Sequence, residues 1–125
     1  MPKAVNSDKA PAAVGPYSHG SEASCGLIFT SGQLPIDGKT GQMPEGAAEQ
    51  AKQSLENVRY TLEAAGSSLA KVVKTTVYLK NIGDFGAVNE VYASFFSEPF
   101  PARSCFEVAC LPKDALVEIE VVAEK

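Results

Sequence analysis

The chain contains one histidine and three cysteines, and it is short of basic residues. Each scarcity excludes a chemistry. A lone His19 with no Cys-x-x-Cys pair offers none of the ligand spacings that hold zinc, so no metal centre is expected. Cys25, Cys105 and Cys110 are an odd number in a chain that is 45% apolar, so no disulfide framework is implied. Eleven Lys and Arg stand against fifteen Asp and Glu, a formal charge of −4. That balance argues against avid nucleic-acid binding, which depends on cations neutralising phosphates. No apolar run approaches the roughly 20 residues that cross a bilayer. The opening Met1 to Asn6 lacks the apolar stretch of a signal peptide. The expectation is a soluble, cytoplasmic protein without membrane contact.

At 125 residues the chain reads as one domain, residues 1–125. Residues 6–18, with Pro11, Gly15 and Pro16, read as an ordered loop, and Leu27 to Ser31 as a short strand. Pro35 to Gly46 is punctuated by Pro and Gly and reads as turn. Over 46–65, Ala51, Leu55, Val58, Leu62 and Ala65 recur at helical spacing, and Gly66 stands where a left-handed residue ends a helix. Val72 to Leu79 alternates, with Val73, Thr75, Val77 and Leu79 on one face and Val72, Lys74, Thr76 and Tyr78 on the other, and reads as a strand with β-branched bias. A second helix is predicted from an Asp84 N-cap to about Phe96, with Phe85, Val88, Tyr92 and Phe95 on its buried face. Pro99 and Pro101 then return the chain to extended structure. Two helices and five or six strands predict a two-layer α+β domain. Both helices lie on one face of a mixed sheet, and the other face is buried against another subunit.

The last two strands, 101–108 and 117–122, carry the chemistry. With a period of two, Ala102, Ser104, Phe106 and Val108 share one face, and Arg103, Cys105 and Glu107 the other. Val117, Ile119 and Val121 oppose Glu118 and Glu120 in the same way. If both apolar sets enter one core, Arg103, Cys105 and Glu118 emerge together on the opposite sheet surface. A guanidinium there can hold a carboxylate by two hydrogen bonds, and a carboxylate can position water or move its proton. The competing structural reading is an ion pair between Arg103 and the two glutamates. Cys105 reads as a buried thiol, since nothing near it in sequence favours a thiolate. His19 reads as a surface or rim residue.

Several segments together carry a resemblance. They are Ala10-Pro11-Ala12-Ala13-Val14-Gly15-Pro16-Tyr17-Ser18, Phe29-Thr30-Ser31-Gly32-Gln33-Leu34-Pro35, Gln53-Ser54-Leu55-Glu56-Asn57-Val58, Val73-Lys74-Thr75-Thr76-Val77-Tyr78-Leu79, Val88-Asn89-Glu90-Val91-Tyr92, Phe100-Pro101-Ala102-Arg103-Ser104-Cys105 and Leu111-Pro112-Lys113 through Glu118-Ile119-Glu120. In this order the chain resembles the Rid family of reactive intermediate deaminases, also called YjgF and formerly L-PSP endoribonuclease, and within it the RidA branch. The resemblance implies a chorismate-mutase-like α+β fold and a homotrimer with clefts between subunits. It implies hydrolysis of enamines and imines, such as 2-aminoacrylate and 2-iminobutyrate, to 2-keto acids and ammonia. The intermediates come from pyridoxal-phosphate-dependent dehydratases, and the family protein itself uses no cofactor. By motif, Arg103 looks like the carboxylate clamp and Glu118 like the group that positions water. Cys105 looks like a backbone lining of the pocket, and Tyr17, Ser31, Gly32 and Asn89 look like its walls, some from a neighbouring subunit. Two departures stand out: a short link between Phe96 and Pro101, and Cys110 at a position where Arg is common. The alternatives are an RNA-cleaving or translation-inhibiting protein, and a non-catalytic binding trimer. A single histidine and a negative charge weigh against the first, and retention of Arg103 and Glu118 against the second.

Overall fold

The computed structural model describes residues 1–125. Six strands build one mixed sheet: β1 (Lys3–Val5), β2 (Gly20–Glu22), β3 (Leu27–Thr30), β4 (Val72–Leu79), β5 (Ala102–Glu107) and β6 (Val117–Glu124). Their order is β1-β2-β3-β6-β4-β5. All neighbours are antiparallel except β4 and β5. Helix α1 (Ala47–Ala64) joins β3 to β4, and α2 (Phe85–Phe95) joins β4 to β5. A helix between β4 and β5 is the crossover that a parallel pair requires. Both helices pack on one sheet face, and a single apolar cluster links Leu55 and Leu62 of α1, Val88 and Tyr92 of α2, and Ile28, Val77, Leu79, Val117, Ile119 and Val121 of the strands. The two-layer α+β expectation holds.

The stripe on α1 explains its docking. Ala51, Leu55, Val58 and Leu62 are fully buried, and each large aliphatic side chain removed from water contributes about 1.5–3 kcal/mol. Gly66 follows the helix at φ +80°, a conformation that costs glycine little. Asp84 occupies the N-cap of α2, but its side chain makes no capping bond. One expectation for β4 fails. A bulge between Val72 and Lys74 shifts the alternation, so Val72 is buried in the core and Val73 faces out.

Beside the apolar stripe of α1 runs a buried polar one: Gln50, Ser54, Asn57 and Thr61. It clasps the segment that follows β3. Ser54 Oγ donates to the Gln33 carbonyl at 2.6 Å, and Asn57 Nδ2 donates to the carbonyls of Leu34 and Ile36, each at 2.9 Å. Gln50 Nε2 donates to the Pro44 carbonyl, and its Oε1 accepts from the Leu116 N–H. The helix thereby sets the position of residues 33–36, immediately after Ser31 and Gly32. Asn57→Ala strips the Leu34 and Ile36 carbonyls of this donor, and a buried unpaired group costs about 1–3 kcal/mol. The expected loss is about 2–4 kcal/mol, read as a lower urea midpoint at unchanged slope.

Candidate active site

Strand register decides where the candidate residues go. Arg103, Cys105 and Glu107 pair with Thr75, Val77 and Leu79, three residues buried on the helix-covered face. In-register neighbours project from the same face of a sheet, so Arg103 and Cys105 lie on the helix side. Glu118 and Glu120 pair with Tyr78 and Thr76, which alternate with the buried set and lie on the open side. Arg103 and Glu118 therefore emerge on opposite faces, and the expectation of a single shared face is wrong. The cause is the edge position of β5. Five of its six residues are exposed, so its alternation does not report which face is inside. Phe106, expected in the core, instead lies on the open face with its ring edge-on to Tyr78, centroids 5.4 Å apart.

On the helix side, Arg103 is held by one face of α2. Its guanidinium carbon lies 5.4 Å from the Phe85 ring centroid and 4.7 Å from that of Tyr92. Nη1 donates to Asn89 Oδ1 at 2.7 Å. Residues 85, 89 and 92 are spaced so that they share one helical face. The Tyr92 hydroxyl is fixed in turn by Thr75 Oγ1 at 2.8 Å. None of the four ion pairs in the molecule involves Arg103. The expected structural partners, Glu118 and Glu120, are across the sheet, and Glu107 accepts from the Ile82 N–H instead. An oriented guanidinium with unused donors thus faces a groove of about 420 Å³, lined by Asn89, Tyr92, Phe100, Pro101 and Arg103. Cys105 is half-buried against the core. Burial pushes its thiol up, with Arg103 opposing in part, which suits an inert thiol rather than a nucleophile.

On the open side, Glu118 reaches back along the sheet to Gly32. A Cβ on Gly32 would overlap Oε2 of Glu118, so glycine is what lets the carboxyl lie flat against the backbone there. Burial raises the pKa of Glu118, and the nearby Glu120 carboxylate adds to the shift. A carboxyl tuned upward is better matched to taking and returning a proton near neutral pH. Ser31 is tied down rather than free: its hydroxyl donates to the Ser18 carbonyl at 2.7 Å, and its N–H donates to the His19 carbonyl at 2.8 Å. Tyr17, 47% exposed, lines a small hollow with Pro11, Val14, Gly32 and Leu34.

His19 is neither surface nor rim. It is 6% exposed. Its Nδ1 accepts from the Ser7 N–H at 3.0 Å, and Nε2 donates to the Pro11 carbonyl at 2.8 Å. The ring latches the 6–18 loop that carries Tyr17, and with both nitrogens engaged it is unavailable for acid–base work.

The structure thus groups Asn89, Arg103 and Cys105 on one side and Tyr17, Ser31, Gly32 and Glu118 on the other. The aromatic walls Phe85 and Tyr92 were read from sequence only as core. The spacing 85–89–92, with Asn89 among the motif residues, is the signal that would have joined them to Arg103. The polar stripe on α1 is likewise legible as a 4-3-4 spacing.

A family profile described as "Endoribonuclease L-PSP" matches residues 7–125. A protein of Escherichia coli strain K12 named 2-iminobutanoate/2-iminopropanoate deaminase is 50% identical over 126 residues, covering 98% of each chain. Among solved structures, the E. coli YjgF gene product is 48% identical with a TM-score of 0.93, over 98% of both chains. E. coli TdcF, crystallised with bound serine, is 43% identical with a TM-score of 0.92, again over 98% of both.

Proposed function

The chain belongs to the endoribonuclease L-PSP family, the Rid or YjgF proteins, and we propose that it is a hydrolytic deaminase of small carboxylated imines and enamines. The substrate class is that of 2-aminoacrylate and 2-iminobutyrate, and the products are a 2-keto acid and ammonia. The observation that carries this reading is Arg103: a guanidinium oriented by Phe85, Tyr92 and Asn89, unpaired with any acid, at the wall of a groove. A relative named for this deamination and another holding serine, itself an α-carboxylate, support it.

In the proposed reaction Arg103 holds the substrate carboxylate through paired N–H donors. Glu118 takes a proton from water as the oxygen attacks the protonated imine carbon. It then returns that proton to nitrogen and, as the C–N bond breaks, accepts the proton of the new hydroxyl, so that the carbonyl forms and ammonia leaves. Only water and proton transfers are needed, so no cofactor is invoked. Pyridoxal-phosphate-dependent dehydratases are the enzyme class that would supply such imines. The Cys105 backbone and Asn89 line the clamp side, and Tyr17, Ser31 and Gly32 the water side.

Because a sheet separates Arg103 from Glu118 within one chain, we assign the complete site to a boundary between copies in a homotrimer. The open sheet face supports this: Phe29 and Phe106 are 45% and 44% exposed there, beside Tyr78 and Val122, an apolar surface of the kind that another subunit covers. Light scattering is expected to give about 39 kDa, three times the 13.1 kDa chain; a monomer at micromolar concentration would remove the basis for a shared site. The activity test couples the protein to a threonine dehydratase and follows ammonia, with RNA cleavage by the same preparation measured alongside. Faster ammonia release with intact RNA is the expected result. RNA cleavage without any effect on ammonia would overturn the deaminase reading.

A further inference from the structure

Two residues outside the assigned site bear directly on Glu118. Tyr78 stands opposite it in register on β4. The Tyr78 hydroxyl does not turn to Glu118 but donates to Oε1 of Glu120 at 3.0 Å. Glu120 lies two residues along β6 on the same face, about 7 Å away by strand geometry. Phe106 packs edge-on against the Tyr78 ring at 82°, which fixes the direction of the hydroxyl. On its other side Glu118 is backed by Gly32. Other charged groups on this face are Lys74, in register with Val122, and Glu124 at the far end of β6, and Lys113 and Tyr17 line the hollow on the Gly32 side of Glu118.

We propose that Tyr78 and Glu120 are positioning residues for Glu118: Tyr78, braced by Phe106, anchors the Glu120 carboxylate so that its negative charge faces Glu118 at a constant distance and keeps Glu118 competent to exchange a proton with the attacking water. This rests on the reading of Glu118 as the water-handling group. Three points of electrostatics and chemistry agree with it. The Glu120 charge acts on Glu118 in the direction that disfavours a second negative charge. Tyr78 is itself pushed up to about 12, by burial first and then by its bond to Glu120, so its hydroxyl stays a donor at any working pH. Lastly, Tyr78 is neutral, so it anchors Glu120 without cancelling the charge that Glu118 feels.

The sign of the pH effect follows. Glu120→Gln removes a negative neighbour, so Glu118 loses its proton more readily. Its titration, followed by carbon NMR of labelled glutamate carboxyls, moves to lower pH by about half a unit or more. The acid limb of the kcat/KM profile moves with it. Tyr78→Phe keeps the ring and its packing and removes only the anchor. It is expected to lower kcat about tenfold with KM little changed, since Arg103 still holds the carboxylate. A folded Glu120→Gln whose Glu118 titration does not move overturns the proposal. If Glu120→Gln does not fold, Tyr78→Phe decides: a wild-type kcat and pH profile overturns it. The NMR titration needs no substrate. A shift there in a protein that hydrolyses no imine would keep the pair and sink the deaminase reading instead.

Discussion

Arg103→Ala is expected to abolish turnover of carboxylated imines while leaving the fold intact. The side chain lies on an edge strand, exposed, and its contacts are a hydrogen bond to Asn89 and two aromatic faces. None of these closes the core, so truncation leaves stability within about 1 kcal/mol. What is lost is the only guanidinium facing the groove. Arg103→Lys separates charge from geometry. Lysine keeps the positive charge but offers a single ammonium in place of the planar fork, and it loses much of the stacking on Tyr92. The expected cost is about a hundredfold in kcat/KM, equivalent to about 2.7 kcal/mol. Circular dichroism checks the fold, and the coupled ammonia assay reads the rate. A well-folded Arg103→Ala with near-normal activity would end the clamp assignment.

The second large effect is a rescue. Arg103→Ala and Glu118→Gln are each expected to be nearly inactive alone. Mixed within the proposed trimer they are expected to recover activity, because a site built from Arg103 of one copy and Glu118 of the next can draw each intact residue from a different chain. With random mixing in equal amounts, about a quarter of sites regain both groups. Unfolding and refolding the two variants together, beside each refolded alone, provides the measurement. If Arg103 and Glu118 served one site within a single chain, every chain in the mixture would lack one of them and no activity would return. Glu118→Gln also separates chemistry from binding. It is expected to slow kcat far more than it weakens 2-ketobutyrate, because the carboxylate clamp is untouched.

Much of this architecture was legible in the chain. The 4-3-4-3 spacing of Ala51, Leu55, Val58, Leu62 and Ala65 located α1, and Gly66 marked its end. Alternation located β4, β5 and β6 to within a residue or two. The motif match gave the family and the candidate residues. The misreadings have local physical causes. A bulge at Val72/Lys74 reversed the phase of the first residues of β4. His19, with no periodic neighbour to place it, is buried by a loop whose path no local pattern encodes. The 4-3-4 spacing of the polar stripe of α1 marks a shared face, but not that the face is buried, because the carbonyls that Ser54 and Asn57 meet lie more than twenty residues earlier.

The sequence by itself determined the elements and the apolar faces of α1 and β6, because those depend on spacing along a single stretch of chain, and its motifs singled out Arg103 and Glu118 as candidates. Only the tertiary structure decided which side of the sheet each one occupies. That choice depends on register between strands distant in sequence: β5 lies parallel to β4 and exposed at the edge, while β6 lies antiparallel on the other side of β4. A one-residue slip in either pairing would move every side chain to the opposite face, so alternation within β5 cannot say where Arg103 points. The pairing through β4 sets Arg103 beside Thr75, on the helix side and beside α2, and Glu118 beside Tyr78, on the open face, with the backbone layer between them.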